Sequence, residues 1–492
     1  MKKITYASLF ILLLFISSCQ KNENESVKQT TQEVLQKKPL SGKAVADYID
    51  KTYQLNNGFD WSMVDNTVLW SAALSGDHII SIGIGKENTK SSVSQQTTKT
   101  ILNQLSDLEG KPVSEVLLYQ DNDLNYIDVL LSKYESIAAL RNRTDLRYIE
   151  PTGYDYFSYV ETKSNSGCST SSDNISSADY GSLPSGAKIP WNYYIHKIDQ
   201  AWRYSKGRGV GVGVIDTGIS NYQPNLGYKF DDYYSGRYVR KYGTYIDSNW
   251  YWSTNYDGYH DKCGHGTSSN AAVGAPNNNN HLPVGVAYEC NLVSYRGTHD
   301  VVLNDYHERK GVTMALKALG NRSDIKIISM SIGYPWSIGN IKDAVKYAYA
   351  RGKMIFAAGG TSTSYTNWYP VIFPASMSET VAVTGVEEGA SYNECDVCHT
   401  GSKIDFTYVM ERGNNHHQPV AGYYNNKANY FGGSSVATAS TAGIAALVWA
   451  RYPYWTRAQV MDRLKRSAHF YPYKNSDFGY GNINALKAVR GY

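Results

Sequence analysis

From about Ile189 to the C-terminus, short apolar runs alternate with longer amphipathic or small-residue segments, the signature of one large α/β domain. Val210, Val212 and Val214 alternate with glycines and lead into Ile215 and Asp216, which predicts a buried parallel strand. Val436 to Trp449 is apolar and small on nearly every face, which predicts a helix enclosed on all sides. Ser268 to Ala272 suits a tightly packed helix, and Thr456 to Gln459 reads as a capping box opening a late helix. The N-terminal third has a different rhythm. Val68 to Gly85 reads as strand material with a turn at Ser75-Gly76-Asp77, and Ser92 to Leu108 as a helix. Tyr126 to Leu131, Tyr134 to Arg143 and Leu146 to Ile149 read as strand, helix and strand with short loops.

These rhythms divide the chain into residues 1–18, a polar tether at 19–40, a small α+β unit at 41–159, a linker at 160–188 and the α/β domain at 189–492. The linker is rich in Ser, Gly and Asn and would suit a processing protease. Lys2 and Lys3 precede the apolar run Leu9 to Ile16, which is too short to span a bilayer and reads as an export signal. The run ends in Ile16-Ser17-Ser18-Cys19, which resembles a bacterial lipobox. That resemblance implies lipid on Cys19, loss of residues 1–18 and a membrane anchor. Gln20 in place of Asp favours the outer membrane or cell surface.

Hydrophobic residues at 42% and charged residues at 19% describe a folded protein. The formal charge of +4 is small for 492 residues, and with no Lys/Arg block it argues against nucleic acid as a partner. The 43 tyrosines, many beside Asn, Asp, Ser and Gly, predict rings covering surface loops.

Three glycine-flanked islands carry chemistry. Asp216 ends the predicted strand in Ile215-Asp216-Thr217-Gly218, and open α/β sheets build sites at such ends. Aspartic proteases also use Asp-Thr-Gly, but in pairs, and this is the only such triplet, or Asp-Ser-Gly, in the chain. His265 lies in Gly264-His265-Gly266-Thr267, with no second ligand at the spacing of a metalloprotease helix. Ser435 lies in Gly433-Ser434-Ser435-Val436-Ala437, at the mouth of the enclosed helix, where backbone N–H groups favour an anion. An acid, an imidazole and a hydroxyl are the parts of a Ser-His-Asp hydrolase.

The order Asp, His, Ser, at separations of 49 and 170 residues, resembles the subtilisin-like serine proteases, peptidase family S8. The first separation is long for the family and implies an inserted loop around 229–256. The resemblance implies a three-layer α/β fold with a mainly parallel central sheet, preceded by a small α+β prodomain made as an inhibitory propeptide, whose end residues 123–151 resemble. It gives Asp216 the orienting role, His265 the base, and Ser435, rather than Ser434, the nucleophile. Ser331, Ile332 and Gly333, in Ile328-Ser329-Met330-Ser331-Ile332-Gly333, look like the edge that pairs with a substrate backbone. Phe478 to Ala485 resembles a late Gly-rich family segment. The expected activity is a monomeric exported endopeptidase acting on protein or peptide, with its own propeptide as a second partner.

The chain departs from the family at Gly360. The family places an oxyanion-binding Asn there, and losing such a donor costs about 2.7–4 kcal/mol. Thr361, Ser362, Asn367 or a backbone N–H are the substitutes in reach, and a catalytically weak surface binding module is the rival reading. No cofactor is required by the resemblance and no metal is assigned. Calcium stays open, because Asn277 to Asn280 and Asn225 fall where the family often binds it, without carboxylate charge. Six cysteines include Cys19. Export favours disulfides, and pairing Cys263 with Cys290 would brace the loop before His265, leaving Cys168 odd. A reactive Cys263 is the sharper alternative. Cys395-Asp396-Val397-Cys398-His399 matches a c-type haem pattern; zinc and a local disulfide are the other readings, and the disulfide is favoured.

Overall fold

The computed structural model describes residues 38–86, 91–160, 167–231, 236–361, 370–389, 391–413 and 415–491. Cys19 and the tether before residue 38 lie outside the described residues, as do Ser362 and Asn367.

The N-terminal α+β unit is a four-stranded antiparallel sheet, β1 (Ile79–Ile84), β2 (Leu117–Asp121), β3 (Tyr126–Leu130) and β4 (Leu146–Glu150), in the order β2-β3-β1-β4. The segment read as strand from Val68 is instead a helix at Asn66–Ser75, followed by β1. Asp65 caps it by accepting the N–H groups of Thr67 and Val68, at 2.7 and 3.0 Å. Val68, Leu69, Ala72 and Ala73 then face the core at helical spacing. The helix Gly42–Asn56 and strand β2 had no counterpart in the sequence reading.

Two short strands pair antiparallel, β5 (Tyr180–Ser182) inside the stretch read as linker and β6 (Lys188–Pro190) across its C-terminal boundary. The main sheet contains β7 (Gly211–Asp216), β8 (Val239–Gly243), β9 (Asn291–Arg296), β10 (Ile325–Met330), β11 (Met354–Ala358), β12 (Thr380–Glu387) and β13 (Phe406–Glu411). Its seven strands run parallel in the order β13-β12-β11-β10-β7-β9-β8. A hairpin of β14 (Gln418–Ala421) and β15 (Ala428–Phe431) leads into the helix Gly433–Arg451.

Side chains alternate across the parallel sheet and feed two cores. Val212, Val214 and Ile327 pack with the helices His265–Gly274 and Gly433–Arg451. Ile215, Ile328 and Met330 pack with the helices Tyr306–Asn321 and Gly339–Ala350. This second core is continuous with the N-terminal sheet, so that sheet covers the outer face of the helix pair. The late helix, Arg457–Ser467, carries the expected capping box between Thr456 and Gln459.

Candidate active site

Asp216 is the last residue of β7 and is fully buried. Its Oδ1 accepts the Thr217 N–H at 2.8 Å and lies 2.8 Å from His265 Nδ1; its Oδ2 accepts the Ser269 hydroxyl at 3.0 Å. These three donors hold the carboxylate in one orientation. Burial disfavours protonation of His265, but the Asp216 charge and hydrogen bond outweigh it, and the net effect raises the imidazole above its ordinary value.

His265 is the first residue of its helix, behind Gly264 at φ 92°. Gly264 has no alternative there, because a Cβ would lie 2.1 Å from the Ser169 carbonyl oxygen. A buried carboxylate that sequence reasoning passed over, Asp261, ties this corner together. It accepts the N–H groups of Cys263, Gly264 and Thr267 at 2.7–2.9 Å and the hydroxyls of Thr217 and Thr267. Thr217 in turn accepts the Gly266 N–H at 2.8 Å, locking the Asp216 strand to the His265 helix. A signal was present: Asp261 stands four residues before His265 in a turn-forming sequence.

Ser435 Oγ lies 2.9 Å from His265 Nε2. With Nδ1–H donated to Asp216, Nε2 accepts the Ser435 hydroxyl. Ser434 is buried and its hydroxyl is engaged elsewhere, accepting the Gly360 N–H at 3.3 Å and lying 3.0 Å from Thr361 Oγ1. The two adjacent serines therefore face opposite ways, and Ser435 alone meets the imidazole. Its own N–H, third in the helix, has no carbonyl one turn back within that helix to pair with.

At Gly360 the backbone has φ 128° and the absent side chain is replaced by a ring. A Cβ at 360 would lie 2.3 Å from Nδ1 of His399. His399 is buried, its N–H donates to the Gly360 carbonyl at 3.0 Å, and its Nδ1 lies 3.3 Å from the Pro370 carbonyl. Nε2 has no partner. Burial pushes its proton affinity down, and the Pro370 carbonyl opposes this only in part. Sequence reasoning treated His399 as part of a Cys-rich motif and missed its proximity to Gly360. Of the proposed substitutes, Thr361 is engaged with Ser434: its hydroxyl lies 3.0 Å from Ser434 Oγ and accepts the Ser434 N–H at 3.3 Å.

Ser331, Ile332 and Gly333 line the same cleft as His265 and Ser435. Ser331 Oγ donates to the Ser435 carbonyl at 3.1 Å. Gly333 departs from the expected open edge. Its N–H donates to the Val301 carbonyl at 3.0 Å and its own carbonyl accepts the Leu303 N–H at 3.1 Å.

The cysteine pairing differs from the expectation. Cys263 is bonded to Cys168, not to Cys290. The segment 167–169 passes beside His265 and brings Cys168 within reach, whereas Cys290 is buried in the core against Gly274. Burial pushes the Cys290 thiol up to about 11. Cys395 and Cys398 form a local disulfide, which takes both sulfurs out of any haem or zinc ligation. The Asn cluster fits calcium poorly. Asn225 Oδ1 accepts amide N–H groups from Asn278 and Asn280, and the Lys229 ammonium donates to Asn280 Oδ1 at 3.2 Å. A resident ammonium supplies the positive charge there, without any carboxylate from these residues.

A family model described as the subtilase family, peptidase S8, matches residues 207–482. Subtilisin E of Bacillus subtilis (strain 168) is 29% identical over 293 residues, covering 58% of this chain and 66% of that protein. Subtilisin of Bacillus pumilus is also 29% identical over 293 residues, with 92% of its length covered. This chain thus spans just under two thirds of the length of Subtilisin E. Among solved structures, a MycP3 protease from the type VII (ESX-3) secretion system aligns at 21% identity and a TM-score of 0.48, over 63% of this chain and 91% of that one.

Proposed function

The chain belongs to the subtilase family, by a match that spans more than half of it, and from that premise we propose that it is a serine endopeptidase acting through Asp216, His265 and Ser435. The observation that carries the reading is the continuous chain of contacts from Asp216 to His265 at 2.8 Å and from His265 to Ser435 at 2.9 Å. Ser435 Oγ attacks the scissile carbonyl while His265 Nε2 takes its proton, and the imidazolium is stabilised by the Asp216 carboxylate. His265 then delivers the proton to the leaving amine, and water hydrolyses the acyl-enzyme by the reverse sequence. The Ser435 N–H, at the positive end of its helix, faces the developing oxyanion. Turnover is expected to be modest, because the second donor is missing at Gly360.

The enzyme is made as a zymogen. Support comes from the contacts between the 41–159 unit and the helix pair behind the cleft. Arg147 meets Asp343 at 2.7 Å, Lys317 meets Asp121 at 2.8 Å, and the Gly339 N–H donates to Glu150 at 2.8 Å. Export and lipid attachment at Cys19 follow from the N-terminal sequence. A cut before Cys168 separates the lipid-bearing portion from the catalytic portion except for these noncovalent contacts. A cut after Cys168 leaves the two joined through Cys168–Cys263. Intact mass of the exported protein, with and without reduction, separates these outcomes.

A fluorophosphonate probe tests the activity itself. Labelling lost in Ser435→Ala and kept in Ser434→Ala supports the enzyme. No labelling of the mature protein supports the rival, a catalytically weak surface binding module, which Gly360 favours.

A further inference from the structure

An extended peptide gains affinity by adding a strand to a free backbone edge. A peptide paired to this edge with its scissile carbonyl at Ser435 would set the residue bearing that carbonyl beside Ser331, the residue of the edge whose Oγ donates to the Ser435 backbone carbonyl at 3.1 Å. In antiparallel pairing the preceding residue lies opposite Ile332, and the one before that opposite Gly333. At Gly333 the edge is already occupied. Its N–H and its carbonyl are both spent on Val301 and Leu303, in a short parallel bridge.

This bridge belongs to a braced loop. The Glu308 carboxylate accepts the Thr298 hydroxyl and the N–H groups of His299, Asp300, Asn304 and Asp305 at 2.8–3.5 Å. Asp300 accepts the Val302 N–H at 2.7 Å, and Arg309 Nε donates to the Leu303 carbonyl at 3.1 Å. Leu303 is itself fully buried. Opening the edge therefore means breaking two backbone hydrogen bonds and displacing a loop fixed at several points. The chain's own segment ahead of the linker behaves accordingly. Asp155 bonds the Asn304 side chain, and Phe157 packs edge-on against Tyr334 at 5.8 Å, so this segment runs along the loop without taking the Gly333 backbone.

We propose that the Val301–Leu303 segment is a built-in strand that closes the acyl side of the cleft after two residues, so that substrate recognition there depends on the two residues before the scissile bond. This rests on the serine endopeptidase reading. The favoured substrate class is peptide whose chain turns away, or begins, two residues before the bond that is cut.

The test uses the exported, processed enzyme, with active sites counted first by a fluorophosphonate probe. Failure to label overturns the endopeptidase reading and is recorded separately. On labelled enzyme, N-acylated peptide anilides with one, two, three and four residues before the bond are compared. We expect kcat/KM to rise at least tenfold from one residue to two and to stay within about threefold from two to four. A tenfold or larger gain on adding the third or fourth residue overturns the proposal. Glu308→Gln weakens the brace and leaves the triad untouched. If the enzyme still labels fully, the variant is expected to gain a dependence on the third residue that the parent lacks. An unchanged length profile in a variant whose loop has become protease-sensitive also overturns the proposal.

Discussion

The His399 imidazole stands where a side chain at position 360 would begin, with Nδ1 only 2.3 Å from the Cβ that any residue larger than glycine would add. Restoring the family's asparagine is therefore not a repair. Gly360→Asn is expected to destabilise the protein by about 1–3 kcal/mol through overpacking, with added strain from the φ of 128°. It should not raise kcat. Combining it with His399→Ala should recover part of the lost Tm. Thermal unfolding and turnover of the three variants check this, and a faster, equally stable single variant contradicts it.

The acid limb of kcat/KM should report His265. The imidazole must be neutral to accept the Ser435 proton, and Asp216 holds it above its ordinary value of 6.5 against the opposing effect of burial. Activity is thus expected to fall as pH drops through a midpoint higher than 6.5. Asp216→Asn should lower turnover about 10⁴-fold and move the midpoint down. A limb that does not move would assign it to another group.

Stability should decline with rising pH through Glu150. Burial pushes this carboxyl up to about 8, partly opposed by the Gly339 N–H. The native state then holds a proton that the unfolded chain releases near pH 4.3, so unfolding is favoured progressively between about pH 4.3 and pH 8, by at most about 1.4 kcal/mol per pH unit. Glu150→Gln keeps an acceptor for Gly339 and needs no proton. Its Tm should fall less steeply from pH 5 to pH 8 than that of the parent.

Chelation should leave the protein unaffected. A calcium ion bound at a hundred times its Kd would add about 2.7 kcal/mol of stability. The Lys229 ammonium at Asn280 supplies positive charge in the cluster instead. Tm in EDTA and in millimolar calcium is expected to coincide, and a calcium-dependent rise would point to a site elsewhere in the chain.

Much of this molecule could be read without its coordinates, because the signals were local. Val212 and Val214 announce a buried strand, the capping box at Thr456 a helix start, and three glycine-flanked islands in the order acid, imidazole, hydroxyl the chemistry of a hydrolase. The misreadings have an equally local origin. Val68 to Ser75 is apolar enough for either element, and its helix is decided by the Asp65 cap and by what lies beneath Leu69 and Ala72. Disulfide partners are decided by which chains pass each other, so Cys263 met Cys168 across 95 residues and left Cys290 in the core.

By itself the sequence determined the fold class, the family resemblance and the preference for Ser435 over Ser434 as nucleophile candidate. These depend on residue type, order and neighbours along the chain. Only the tertiary structure decided that Asp216, His265 and Ser435 form one hydrogen-bonded line, that His399 fills the space at Gly360, and that Gly333 is already paired. Each of those joins groups distant in the chain through contacts a few ångströms long. Such contacts depend on how whole elements pack, and no periodicity along the chain records them.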